Sequence, residues 1–129
     1  MTDYYIKAVL LENCSYSEKA YKLLKEHNIK YTHVVVTPKT KDNYKTSLIT
    51  TFPQIYLCKN NALGSQLLGG CDDLSYFIDT FKKPYLDNNK ITEFMNKYKW
   101  SKKGTLKLIQ IINNITINHP TTITKKMKT

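Results

Sequence analysis

Three short stretches of this chain hold the residue types and spacings that could do chemistry. The first is Cys14-Ser15-Tyr16-Ser17. Only the thiolate form of a cysteine is a nucleophile, and an ordinary cysteine ionises near ~8.5. A cysteine at the start of a helix meets unpaired N–H groups and the positive end of the helix dipole, and both favour its anion. Ser17, three positions on, could add a hydroxyl donor. An inert buried thiol remains an equally open reading of this segment. The second stretch is Thr51-Phe52-Pro53. A cis peptide before Pro53 would turn the Phe52 N–H and C=O outward, where an extended peptide could pair with them; an ordinary proline at a strand entry is the simpler alternative. The third is Gly69-Gly70-Cys71-Asp72-Asp73. Glycines allow a ligand close to the backbone, a helix start binds a carboxylate, and an Asp can hold an ammonium. Together these suit the α-carboxylate and α-amine of an amino acid, although a plain turn with a capping Asp would look the same.

Hydrophobic periodicity supplies the elements that position these stretches. Tyr4 to Leu11 is a near-continuous apolar, β-rich run and reads as a buried strand. It ends just before Cys14. Ser17 to His27 has helical spacing, with Ala20, Leu23 and Leu24 on one face, and Asn28 can close it in a left-handed conformation. Tyr31 to Val36 is a second strand, rich in β-branched residues. A short helix is expected from Lys39 to about Leu48, with Pro38 at its first position. Strands at 54–57 and 66–68 and a helix from Asp72 to Phe81 complete a β-α-β-α-β-β-α order. Such an order implies one four-stranded mixed sheet with helices on its faces, the thioredoxin-like arrangement. Beyond Pro84, Asp87 is a candidate cap, followed by Ile91, Phe94, Met95 and Tyr98 at helical spacing. Gly104 is expected to break the chain, Leu106 to Ile112 is ambiguous between helix and strand, and His119 to Thr129 reads as a frayed end. The division expected is therefore a domain at 1–83 and a basic, partly helical extension at 84–129.

Composition narrows the function classes. At 129 residues the chain fits one domain. It has no apolar run of ~18 residues, and its first residues lack the basic-then-apolar pattern of a secretory leader, so a cytoplasmic setting is expected (host cytoplasm, for a viral chain). The three cysteines, Cys14, Cys58 and Cys71, are too few and too scattered for a disulfide framework or a zinc site. The formal net charge of +10 invites a polyanion partner, but all twenty basic residues are lysine. Arginine, which forks onto phosphate and reads guanine, is missing. Abundant Lys, Asn, Ile and Tyr fit an A/T-rich genome, so nucleic acid is not the expected partner. The excess is uneven: residues 1–83 hold 11 Lys and 8 acidic residues, and 84–129 hold 9 Lys and 2.

Taken in order, the three stretches resemble the glutaredoxin family over about residues 4–82. Cys14-Ser15-Tyr16-Ser17 is similar to its Cys-Pro-Tyr-Cys tetrad, Thr50 to Tyr56 to its Thr-Val-Pro-Gln-Ile-Phe segment, and Leu68 to Leu74 to its glycine–aspartate motif. The resemblance implies a glutathione-dependent thiol–disulfide oxidoreductase acting on glutathionylated proteins or small disulfides, with glutathione as co-substrate, as a monomer and away from membranes. It implies Cys14 as nucleophile with Ser17 beside it, Tyr16 packing on the ligand, and Thr51, Phe52 and Pro53 along the cysteinyl backbone of glutathione. Gly70, Cys71 and Asp72 would hold the γ-glutamyl end, with Asp73 as helper or cap. No metal ligand is implied for the thiol route.

Three departures qualify the match. Ser17 replaces the second cysteine, which leaves only a monothiol route. Glu12 and Asn13 stand where the family has an upstream lysine, so Lys39, Lys41 or Lys45 becomes the candidate for the glycine carboxylate of glutathione. The loop 58–65 is longer than usual, and the tail has no counterpart. Two alternatives stand beside the enzyme: a carrier of a glutathione-ligated [2Fe–2S] cluster, which the Ser-Tyr pair after Cys14 disfavours, and a redox-inactive binding module.

Overall fold

The computed structural model describes residues 4–60 and 65–114. Four strands form one mixed sheet: β1 (Tyr4–Leu11), β2 (Tyr31–Val36), β3 (Gln54–Lys59) and β4 (Ser65–Gly69), in the order β2-β1-β3-β4. β1 runs parallel to β2, with Ile6 opposite Tyr31 and Leu11 opposite Val36. β3 is antiparallel to both β1 and β4. The parallel pair requires a crossover, and α1 (Ser15–Glu26) supplies it.

One face of the sheet carries Ile6, Ala8, Leu10, Ile55, Leu57 and Leu68. These pack with Ala20 and Leu24 of α1 and with Leu74, Phe77, Ile78 and Phe81 of α2 (Cys71–Phe81). The same core continues into α3 (Asn88–Tyr98) and α4 (Lys102–Asn113) through Ile91, Phe94, Trp100, Leu106, Leu108, Ile109 and Ile112. Phe94 sits 5.0 Å from Phe77 and 5.4 Å from Trp100, ring centre to ring centre. Polar bonds also join the C-terminal helices to the rest. Trp100 Nε1 donates to the Leu67 carbonyl at 3.1 Å, Lys82 Nζ to that of Ile112 at 2.8 Å, and Asn113 Nδ2 to that of Phe81 at 2.9 Å.

Several expected elements shift. The helix expected from Lys39 to Leu48 is only a 3-10 turn, Lys41–Tyr44. Thr37 and Thr40 bond to each other and to local backbone, which diverts this stretch into turns. Gly104 does not break the chain: it lies buried in the first turn of α4, with its N–H donated to the Ser101 cap. A side chain at 104 would displace the amide end of Gln66, which lies against this turn. The ambiguous run 106–112 is helical. The frayed end expected at 119–129 lies outside the described residues.

Candidate functional site

Asn13 adopts a left-handed backbone conformation, φ 58°, and this turns the chain from β1 into α1. Cys14 follows as the N-cap residue of α1, in extended conformation, and its carbonyl accepts the Glu18 N–H at 3.0 Å. At this position a side-chain acceptor faces the N–H groups two and three residues on. For Cys14 these belong to Tyr16 and Ser17. Burial pushes the Cys14 thiol up, but the Ser17 N–H, the Ser17 hydroxyl and the Tyr16 N–H outweigh it and leave the thiol below its ordinary range. The Glu18 carboxylate opposes them weakly. The Cys14 side chain makes no cap hydrogen bond, so these groups favour the thiolate by their nearness at the helix start.

Ser17 is 2% exposed, and its hydroxyl accepts the Leu11 N–H at 3.0 Å. That bond takes up a lone pair and leaves the hydroxyl proton for the sulfur. Tyr16, by contrast, is 61% exposed and projects beside the site without a fixed role in the core.

The three stretches converge. Cys14 Sγ lies 4.0 Å from the Phe52 carbonyl oxygen. The Phe52–Pro53 peptide is cis, Pro53 is buried, Phe52 half-buried and Thr51 exposed. The Pro53 carbonyl in turn faces Gly70, within 3.6 Å of where a side chain there would begin. Cys71, the first residue of α2, feels the charge of Cys14.

Within the glycine–aspartate loop the two carboxylates differ. Asp73 Oδ2 accepts the Gly70 N–H at 2.9 Å, and Asp73 Oδ1 accepts the Tyr98 hydroxyl at 2.7 Å. Both oxygens of Asp73 are therefore engaged inside the protein, and its residue is a cap. Asp72 is exposed. The N–H groups of Cys71 and Asp72, in the first turn of α2, have no helical carbonyl to bond. Gly69, at φ +137°, has its open side filled by the Asp73 carboxylate.

The other thiols are less apt for chemistry. Burial raises the Cys71 thiol, partly offset by the Lys19 ammonium, with Asp72 and Cys14 raising it further. Burial likewise raises Cys58, which lines a cleft of about 400 Å³ on the opposite face of the sheet with Lys7, Gln54 and Tyr56. Of the candidate lysines, Lys45 pairs with the exposed Asp42 at 2.9 Å. Two residues of the site were not singled out in the sequence for it. Lys19 is the cation close enough to act on Cys71, and its position two residues beyond the tetrad was a signal within reach. Tyr98 comes from 25 residues beyond Asp73, and nothing local announces it. Among the described residues no helix is long and apolar enough to cross a membrane, and no three His, Cys, Asp or Glu side chains cluster as metal ligands would.

The glutaredoxin family model matches residues 3–60. Among solved structures, the chain is similar to glutaredoxin 1 from Francisella tularensis complexed with cacodylate, with 22% identity over 59% of this chain and 93% of that one, at a TM-score of 0.46. No curated protein matches.

Proposed function

We propose that this chain removes glutathione from mixed disulfides by a monothiol route through Cys14, in keeping with the glutaredoxin family model that matches residues 3–60, a family whose chemistry is of the thiol–disulfide oxidoreductase type. The observation that carries the proposal is the position of Cys14. It caps α1 where two N–H groups and a hydroxyl favour its thiolate, 4.0 Å from a backbone carbonyl of the Thr51-Phe52-Pro53 segment.

In the first step the Cys14 thiolate attacks the glutathione sulfur of a mixed disulfide. A Cys14–glutathione bond forms, the substrate–glutathione bond breaks, and the substrate leaves as a thiolate that takes up a proton. A second glutathione, as thiolate, then attacks the bound glutathione sulfur, forming oxidised glutathione and returning the Cys14 thiolate. No second protein thiol is needed, which accords with Ser17 in the tetrad. The free N–H groups of Cys71 and Asp72 would take the γ-glutamyl carboxylate, the Asp72 carboxylate its ammonium, and the Phe52 backbone the cysteinyl portion. Thr51 and Tyr16 would flank the ligand, beside Pro53 and Gly70.

The test is the reduction of a glutathionylated peptide by wild type and by Cys14→Ser, with glutathione supplied. Wild type is expected to turn over well above the variant. Equal rates would overturn the proposal.

A further inference from the structure

We infer that Tyr98, on the C-terminal helix α3, is a positioning residue for glutathione binding: its hydroxyl holds the Asp73 carboxylate in place and so keeps the 69–73 loop in its ligand-accepting form. This rests on the glutathione reading proposed above. The chain of contacts is short. Tyr98 donates to Asp73 Oδ1 at 2.7 Å, and Asp73 Oδ2 holds the Gly70 N–H at 2.9 Å. Gly70 immediately precedes the two N–H groups left free for an anion.

The phenol itself is held firmly. Its ring stacks on Phe94 at 4.5 Å and 20°, and on Tyr76 at 6.1 Å and 18°. The Lys97 ammonium covers the faces of Tyr76 and Tyr98. Phe94 is wholly buried in the shared core, so the hydroxyl is presented from a rigid base. Burial and the neighbouring Asp73 carboxylate hold the Tyr98 phenol far above its ordinary range, and it stays a donor at any working pH.

The reason for a lock is electrostatic. Asp73 is an anion beside the place where the carboxylate of the ligand would dock. A carboxylate bonded at both oxygens is oriented away and partly neutralised. Released at one oxygen, it is free to swing onto the first-turn N–H groups of its own helix, which are the groups a ligand carboxylate needs. Tyr98 thereby makes the C-terminal extension part of the site, although it contributes no atom to the ligand.

The experiment compares wild type, Tyr98→Phe, Asp73→Asn and the double variant with the glutathionylated-peptide assay, and uses Tyr76→Phe as control. The control removes a hydroxyl from the same stack. Tyr98→Phe is expected to raise KM for glutathione about three- to tenfold, the net range of an ordinary hydrogen bond since the hydroxyl acts through Asp73, with kcat and the pH profile of Cys14 alkylation unchanged. Tyr98→Phe should add little in the Asp73→Asn background. Exchange of the Gly70 amide should quicken in Tyr98→Phe and not in Tyr76→Phe. An unchanged KM and Gly70 exchange in an active Tyr98→Phe overturn this inference alone. A wild type no faster than Cys14→Ser overturns the underlying reading, and this inference falls with it.

Discussion

The Ser17 hydroxyl accepts the backbone N–H of Leu11 at 3.0 Å, so the last residue of β1 is tied to the third residue of α1 across the turn that carries Cys14. The bond satisfies a strand N–H that would otherwise be left over at the sheet end. It also leaves the hydroxyl proton free, and that hydroxyl favours the Cys14 thiolate. One side chain therefore serves both the fold and the electrostatics of the thiol.

Ser17→Ala separates these roles. It strips the Leu11 N–H of its partner and the sulfur of a donor. Stability is expected to fall by about 1–2 kcal/mol, the cost of a lost bond that leaves a partly buried donor unpaired. The Cys14 thiol is expected to move back toward its ordinary range. Denaturant unfolding and the pH profile of iodoacetamide alkylation measure the two effects. A variant with unchanged stability and profile would refute the assignment.

Glu18→Gln acts in the opposite sense on the thiol. The Glu18 carboxylate raises the Cys14 pKa, so its removal should lower it further and speed alkylation near neutral pH. Glu18 also lies in the first turn of α1, where an acid favours the helix by ~0.3–1 kcal/mol. A small loss of stability should therefore accompany the gain in reactivity. Slower alkylation would contradict the electrostatic account.

The lowered Cys14 pKa also predicts how stability changes with pH. A folded-state pKa below the unfolded value means that the unfolded chain holds its proton to higher pH. The contribution is fully present above the unfolded cysteine value, ~8.5, and is lost as pH falls through the lower folded value. The stability of wild type relative to Cys14→Ser should therefore rise with pH across that window. A difference that is flat or falling with pH would be inconsistent with a depressed thiol.

Gly69→Ala should be costly. Gly69 has φ +137°, and a side chain there would collide with the Asp73 carboxylate. Strain of order 1–3 kcal/mol and loss of a cap worth about 1 kcal/mol suggest a total near 2–4 kcal/mol. Thermal unfolding checks this, and a loss under 1 kcal/mol would mean that the loop relaxes freely.

Phe94→Ala and a chain ended after Lys83 test how far the C-terminal helices support the fold. Phe94 is fully buried against Phe77, Phe81 and Trp100. Its truncation should cost ~3–5 kcal/mol. The shortened chain should expose Phe77 and Phe81 and aggregate. A soluble, cooperatively folding 1–83 fragment would show that the core closes without α3 and α4.

Much of this molecule was legible from local pattern. The spans of β1 and β2 follow directly from the apolar run at 4–11 and the β-branched run at 31–36. Asp87 caps α3 through the Asn89 and Lys90 N–H groups, as its place before a helical pattern implies. Local rules failed where a neighbour distant in sequence decides the outcome. Gly104 looked like a break, but α4 runs through it, buried beside the Gln66 side chain of β4. Lys39 to Leu48 also looked helical, but there the cause is local: side-chain bonds within the segment hold it in a 3-10 turn and bends.

The site divides in the same way. Sequence by itself determined that a cysteine stands at a helix start, that Ser17 leaves it without a partner thiol in the tetrad, and that glycines and acids follow the second hairpin strand. These depend on residue type and near-neighbour spacing. Only the tertiary structure decided which of those groups are free to act. Ser17 is occupied by Leu11, Asp73 by Gly70 and Tyr98, and Asp72 is left exposed. The reason is that a hydrogen bond is satisfied by whatever donor the fold brings within about 3 Å, and for Asp73 that donor lies 25 residues away on a helix whose position is set by the core.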